Sequence, residues 1–362
     1  MYAAGFWLYS LGIITASRED DEDLEAMRRA SGLGSYRINL TALRRSLLSM
    51  NWFTPQPPQD GDMIVTYDWA QPVAITVAAG AEYAAMLERA ERSALKKGLT
   101  ERASMAAMSL VAGAKSLEEL PLLSGLMSFM QAAGQRAPAG ESSLANAVIK
   151  TVTGLPSMFV PQLVRQATQL SDNMIRTTRA GVAAEREFDR VLASLPGWST
   201  KYPVRFDVTG QAIERYQYGG NTVWNVLTNP TMTTRYKADP VLQEVGRLLN
   251  ATGEAGVVPR EVMRKATING QSVELTNNQI AAYQYYVGNF TMSHFRWRMA
   301  APVYAKLPDE LKAKMLSDDL KDIHAAVKSA VLGADARRLT RRQMFLRQAL
   351  VNSPLGRSVP PR

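Results

Sequence analysis

The chain has 362 residues, 46% of them hydrophobic and 21% charged, which suffices for two or three compact units and excludes a globally disordered chain. The lack of cysteine excludes disulfides, thiolate metal sites and a cysteine nucleophile, and His294 and His324 alone are too few for an all-histidine metal site. The net charge of +9 is concentrated at one end: Arg296 to Arg362 carries fourteen Lys/Arg against six Asp/Glu, leaving the remainder near neutrality.

The apolar run from Tyr2 to Ala16 has no basic residues ahead of it, unlike a secretory signal, and is short for a membrane span. It reads as a buried helix continuing from upstream, Met1 then being an internal start or a fragment boundary. A membrane-inserting element is the alternative. Residues 18–29 place acids first and bases last, an order that suits the dipole of a short helix. No Asp-x-Asp-x-Asp-Gly loop follows, so the acids do not read as a calcium site. Two β-type runs, 35–40 and 62–69, are expected to pair as a small antiparallel ribbon. Val73 to Met130 is Ala-, Leu- and Met-rich and reads as packed helix, and Gly134–Ser143 as a linker.

The stretch 151–207 organises the remainder. Pro161 suits a first helical turn, and Leu163, Ala167, Leu170 and Met174 recur at helical spacing behind it. Asp172 and Arg176 stand four apart, as in an exposed helical ion pair. A second helix, Glu185 to Leu195, ends at Pro196-Gly197, and Val204–Tyr218 reads as a hairpin turning at Thr209-Gly210-Gln211. Pro161, Arg165, Asp172, Arg176, Arg179, Pro196 and Gly197 are therefore candidates for a structural junction between two packed blocks.

Downstream, Asn229-Pro230 precedes a loop with Lys237 and Asp239-Pro240, and Val241–Leu249 reads as helix. Asn269-Gly270 predicts a two-residue hairpin tip, because both residues tolerate positive φ. Thr276 caps the next helix, which carries Tyr283, Tyr285, Tyr286 and Phe290.

The order Pro161…Arg165-Gln166, Asp172-x-x-x-Arg176-x-Thr178-Arg179, Leu195-Pro196-Gly197 and Tyr202-Pro203-x-Arg205-x-Asp207-x-x-Gly210 resembles the large polyvalent protein-associated domain numbered 38. Ser35-Tyr36, Trp69-x-x-Pro72 and Pro302-x-Tyr304-x-x-Leu307-x-Asp309-Glu310-x-Lys312 extend the likeness from about Leu11 to Leu332, through individually weak motifs in the right succession. It departs from that pattern in lacking a proline before Tyr36. The resemblance implies a helical module near the C-terminal end of a long phage or mobile-element protein. Such a module is a segment of a polyvalent or internal virion protein, present in the virion and delivered with the genome to the host cytoplasm or envelope. Its partners are other segments of that protein, with DNA or the host envelope membrane as further candidates.

Catalytic signatures are missing from the sequence: no Gly-x-x-x-x-Gly-Lys-(Ser/Thr), His-Glu-x-x-His or Gly-x-Ser-x-Gly occurs. Asp318 and Asp319 read as a solvated helix face, His294 as a packed histidine, and His324 as flanking a helix–helix seam. Arg296-Trp297-Arg298 reads as an aromatic core face with snorkelling arginines, a single-strand-binding surface being the alternative. Arg337, Arg338, Arg341 and Arg342 are expected on one side of a single helix, with Arg347 beyond. They are candidate contacts for nucleic-acid phosphates, an anionic membrane or an acidic partner helix, in a tail separable from the fold.

The expected fold is mainly α with small β hairpins. Its expected units are an N-terminal block (1–133), helix entry (134–150), junction (151–220), C-terminal block (221–333) and basic tail (334–362). No enzyme activity, cofactor, catalytic residue, metal or small-molecule substrate is expected. A membrane-active ejection component and a non-specific nucleic-acid-binding module are the alternatives.

Overall fold

A computed structural model describes residues 2–17, 22–67, 73–97, 168, 171–214 and 233–353. Pro161, Arg165, the part of the expected helical run beyond Lys97, the expected linker at 134–143 and residues 354–362 lie outside these. The described chain is mainly helical, with one three-stranded and one two-stranded antiparallel sheet.

Helix α1 (Tyr2–Ser10) lies along α4 (Val73–Lys97), and the small residues explain how closely. A Cβ on Gly5 would fall on the carbonyl oxygen of Val77, and Ala74, Ala78, Ala81 and Ala85 of α4 are all buried. Leu11, Ile13 and Ile14 then turn into the same core. The N-terminal run thus packs one face against the Ala-rich helix while Trp7 stays exposed, and among the described residues no helix is long and apolar enough to cross a membrane.

Strand β1 (Arg37–Asn39) pairs with β2 (Met63–Thr66), Ile38 opposite Val65, as the two β-type runs predict. Asn39 ends β1 and caps α3 (Leu40–Ser49), its Oδ1 accepting from Ala42 N at 2.8 Å. Its amide also donates to Asp62 at 2.7 Å, and Asp62 in turn receives Arg45 of α3 at 2.6 Å. A third strand, β3 (Thr233–Arg235), lies on the other edge of β2 in a region the sequence presents as loop.

Helix α2 (Glu22–Ala30) sends Leu24 and Met27 into one core with Val241, Val245 and Leu248 of α6 (Pro240–Thr252). The expected division into blocks 1–133 and 221–333 is therefore corrected. Both a sheet and a core run across it, because the apolar face of α2 finds its partner on α6. Before these, α5 (Ala183–Leu192) ends at a turn in which Gly197 adopts φ +78°.

The C-terminal half is a helical stack: α7 (Asn277–Met299), the short α8 (Pro302–Ala305), α9 (Asp309–Leu332) and α10 (Arg341–Asn352). Asp239 caps α6, with Pro240 in its first turn. Strands β4 (Lys265–Ile268) and β5 (Gln271–Glu274) close at Asn269 (φ +54°) and Gly270 (φ +89°), the left-handed pair that Asn-Gly predicts. Thr276 and Gln279 form a capping box at the start of α7.

The segment 203–214 folds back through a tight turn, as expected: Phe206 bridges Ala212, and Asp207 Oδ1 accepts from Thr209 N and Gln211 N, both at 2.9 Å. This turn presses on α7. A Cβ on Gly288 would come 2.5 Å from Thr209 C and 2.6 Å from Gly210 Cα, both backbone atoms that cannot swing aside. Gly288→Ala is therefore expected to destabilise the fold by about 1–3 kcal/mol in urea denaturation. Gly246→Ala on α6, where nothing lies within 4 Å, gains helix propensity and is neutral or stabilising by up to about 1 kcal/mol.

Candidate functional site

The junction residues meet partners far along the chain. Asp172 ends a helical turn (its N–H donates to Thr168 O at 2.8 Å), while Arg176 is on extended backbone bridged to Val204. The expected exposed helical pair is thus corrected to a buried two-pronged one, Arg176 Nε and Nη2 each donating to Asp172 at 2.9 Å. Met174, expected on the same helix face, sits instead in a bridge to Glu214. Arg179 Nη1 donates to Glu261 at 2.8 Å, and Arg205 reaches the same carboxylate at 3.0 Å. Burial opposes ionisation of Glu261, yet Arg205 and Arg179 hold it below the usual carboxylate range. The amides of Arg179 and Ala180 both donate to Asn277 Oδ1 at 2.9 Å, tying this segment to the start of α7.

The basic tail differs most from expectation. Arg337 and Arg338 lie in a 3-10 turn (Ala336–Arg338), the chain breaks at Leu339, and Thr340 caps a separate helix beginning at Arg341. The four arginines therefore do not share one helix. Asp335 N donates to Asn269 Oδ1 at 2.7 Å, docking the turn on the β4–β5 tip. Leu346 and Leu350 are buried with Tyr286, Ile323 and Val327. The tail up to Ser353 consequently belongs to the fold, because its two inward leucines complete the core of α7 and α9.

Arg342 is anchored from outside that core. It reaches Asp319 and Asp322, while Gln343 Nε2 donates to Asp322 at 2.8 Å. Arg337, Arg338 and Arg341 are exposed and meet no acid among the described residues. Arg347 is half-buried.

Asp319 is the residue that the sequence reading missed. Asp318 is 46% exposed, whereas Asp319 is wholly buried, so only one of the two lies on a solvated face. Arg298 of α7 grips Asp319 through Nε (2.9 Å) and Nη2 (3.1 Å), and Arg342 of α10 arrives from the other side. The signal was present: Asp319 falls three after Leu316 and four before Ile323, inside the apolar stripe of α9.

His294 Nε2 lies 3.3 Å from Asp319 Oδ2 without making a hydrogen bond. Burial, then the charges of Arg298 and Arg342, push His294 down to about 4. His324 is pushed down to about 4 by burial, then by Lys328 and Arg260, and its Nδ1 pairs with the Tyr283 hydroxyl at 3.1 Å. Asp319 is met by two guanidiniums from two other helices, and the cluster holds three helices together. A cavity of about 300 Å³ opens between α1, α2 and α6, with walls including Ile14, Leu24, Met27 and Leu249; Tyr9 and Glu88 on its rim bond each other at 2.8 Å.

No family model, no curated protein and no solved structure matches this chain.

Two outcomes follow from this packing. Leu350→Ala is expected to cost about 2–5 kcal/mol in urea denaturation, and a chain ended at Gly333 to melt well below the full-length protein. The second concerns acid. Both histidines are neutral in the fold and take up protons near about 6.5 once unfolded. The stability they contribute is complete above that value and is lost as the pH falls toward about 4, by up to about 3 kcal/mol per ring. Urea midpoints from about pH 7 to about pH 4.5 should fall, and should fall less in a His294→Gln, His324→Asn double variant.

Proposed function

We propose that this chain is a non-catalytic helical module of a bacteriophage or mobile-element polyvalent or internal virion protein, delivered with the genome into the recipient cell. The reading rests on the succession of motifs that resembles the large polyvalent protein-associated domain. One observation carries it: the motif's described polar residues are engaged inside the fold. Asp172 holds Arg176, Arg179 and Arg205 hold Glu261, and Asp207 holds its own turn. A motif whose charged groups are paired within the chain specifies an architecture, and its partners are the neighbouring segments of a long protein.

Delivery is tested directly. The chain, carrying a small fragment of a split luciferase, is expressed from its parent element, and recipients carry the complementary fragment. Luminescence in recipients that receive the genome is the expected result. Genome transfer without luminescence, with the tagged chain present in the donor, overturns the reading.

A further inference from the structure

Two large aromatic side chains stand in solvent beside the Asp319 cluster. Trp297, 63% exposed, precedes Arg298 on α7, its ring tilted against that of His294 with centroids 5.4 Å apart. Phe345, 72% exposed, follows Arg342 by three residues and Arg341 by four, so the same face of α10 carries all three. Arg298 and Arg342 converge on one carboxylate, which brings the surfaces flanking these rings together across α9.

Folding accounts for neither ring. Burying such a side chain is worth about 1.5–3 kcal/mol, and α10 instead buries Leu346 and Leu350 while leaving Phe345 outward. Guanidiniums surround the rings. The Arg298 guanidinium lies 5.1 Å from the Trp297 ring. Arg341, Arg338 and Arg337 continue the surface toward the β4–β5 tip, where the Arg338 guanidinium borders Gly270. These three cations are free of acids among the described residues, whereas Arg342 is held by Asp319 and Asp322.

We propose that this face binds single-stranded nucleic acid, with the backbone phosphates on Arg337, Arg338 and Arg341 and bases stacked on Phe345 and Trp297. Stacking platforms interleaved with cations are what a single strand uses, since every base has a π-face and every linkage a charge. A duplex would use the arginines and leave the rings idle. An anionic membrane would need a broad apolar face, and α10 leaves Met344, Phe345 and Val351 outward while Leu346 and Leu350 point into the core.

The test uses the full-length chain and a labelled oligodeoxythymidylate, followed by fluorescence anisotropy across a salt series. A duplex of the same length and phosphatidylglycerol vesicles serve as competitors. Phe345→Ala and Trp297→Leu are each expected to weaken single-strand binding about fivefold or more. The triple variant R337Q/R338Q/R341Q should weaken it further and flatten the log–log salt slope by about 2. All of these side chains are exposed, so unchanged thermal melting confirms that each variant is folded. No binding by the parent, equal binding by parent and variants, duplex binding indifferent to Phe345→Ala, or competition by vesicles alone overturns the proposal. The proposal stands apart from delivery: a chain can reach the recipient without binding a strand, or bind a strand without being delivered.

Discussion

A carboxylate enclosed by three helices has to be met by cations, and around Asp319 this requirement decides where α7 and α10 sit on α9. Arg298 approaches from one side and Arg342 from the other, and neither reaches the carboxylate if its helix slides by a turn. Replacing such a knot by apolar side chains of the same volume is often neutral, so it is weak evidence for added stability. Its effect is on register. Ile323, Ala326 and Val327 offer the leucines of α10 an apolar surface that would tolerate several dockings. The buried charge tolerates one, because withdrawing either arginine leaves Asp319 under-paired at a cost of about 3–5 kcal/mol.

Paired acids and arginines recur elsewhere in the fold, between distant segments and within one. Arg45 reaches Asp62, Arg176 reaches Asp172, and Arg179 and Arg205 reach Glu261. The basic balance of the chain is therefore not one electrostatic footprint. Arg298 and Arg342 are held by acids inside the structure, while Arg337, Arg338 and Arg341 are left to solvent. Only that second group can change the affinity for a polyanion without changing the fold.

Elements specified by neighbouring residues were legible in the sequence. Asn269-Gly270 carries its turn in its own dihedrals, and Thr276 caps the helix that follows it. Elements specified from a distance were not. Thr233–Arg235 has no alternating apolar pattern, because its three residues are recruited by the free edge of β2. Asp319 was grouped with Asp318, although adjacent residues on a helix point about 100° apart and only one of them shares the stripe of Leu316 and Ile323. The arginine tail looked separable because charge dominates it, while Leu346 and Leu350, one helical turn apart, do the docking.

These distant pairings bear on how a succession of weak motifs can specify one unit. Arg179 needs Glu261 and Asn277, the Thr209-Gly210 turn needs a bare Gly288, and α2 needs the apolar face of α6. Each piece is locally unremarkable and is completed only by another piece downstream. A chain that kept any one of them alone would expose a buried acid, a blocked turn or an unpartnered face. The order of the pieces therefore carries more structural meaning than any one of them. Among the described residues beside Asp319, those left outside this mutual packing include Trp297, Phe345 and the exposed Arg337, Arg338 and Arg341.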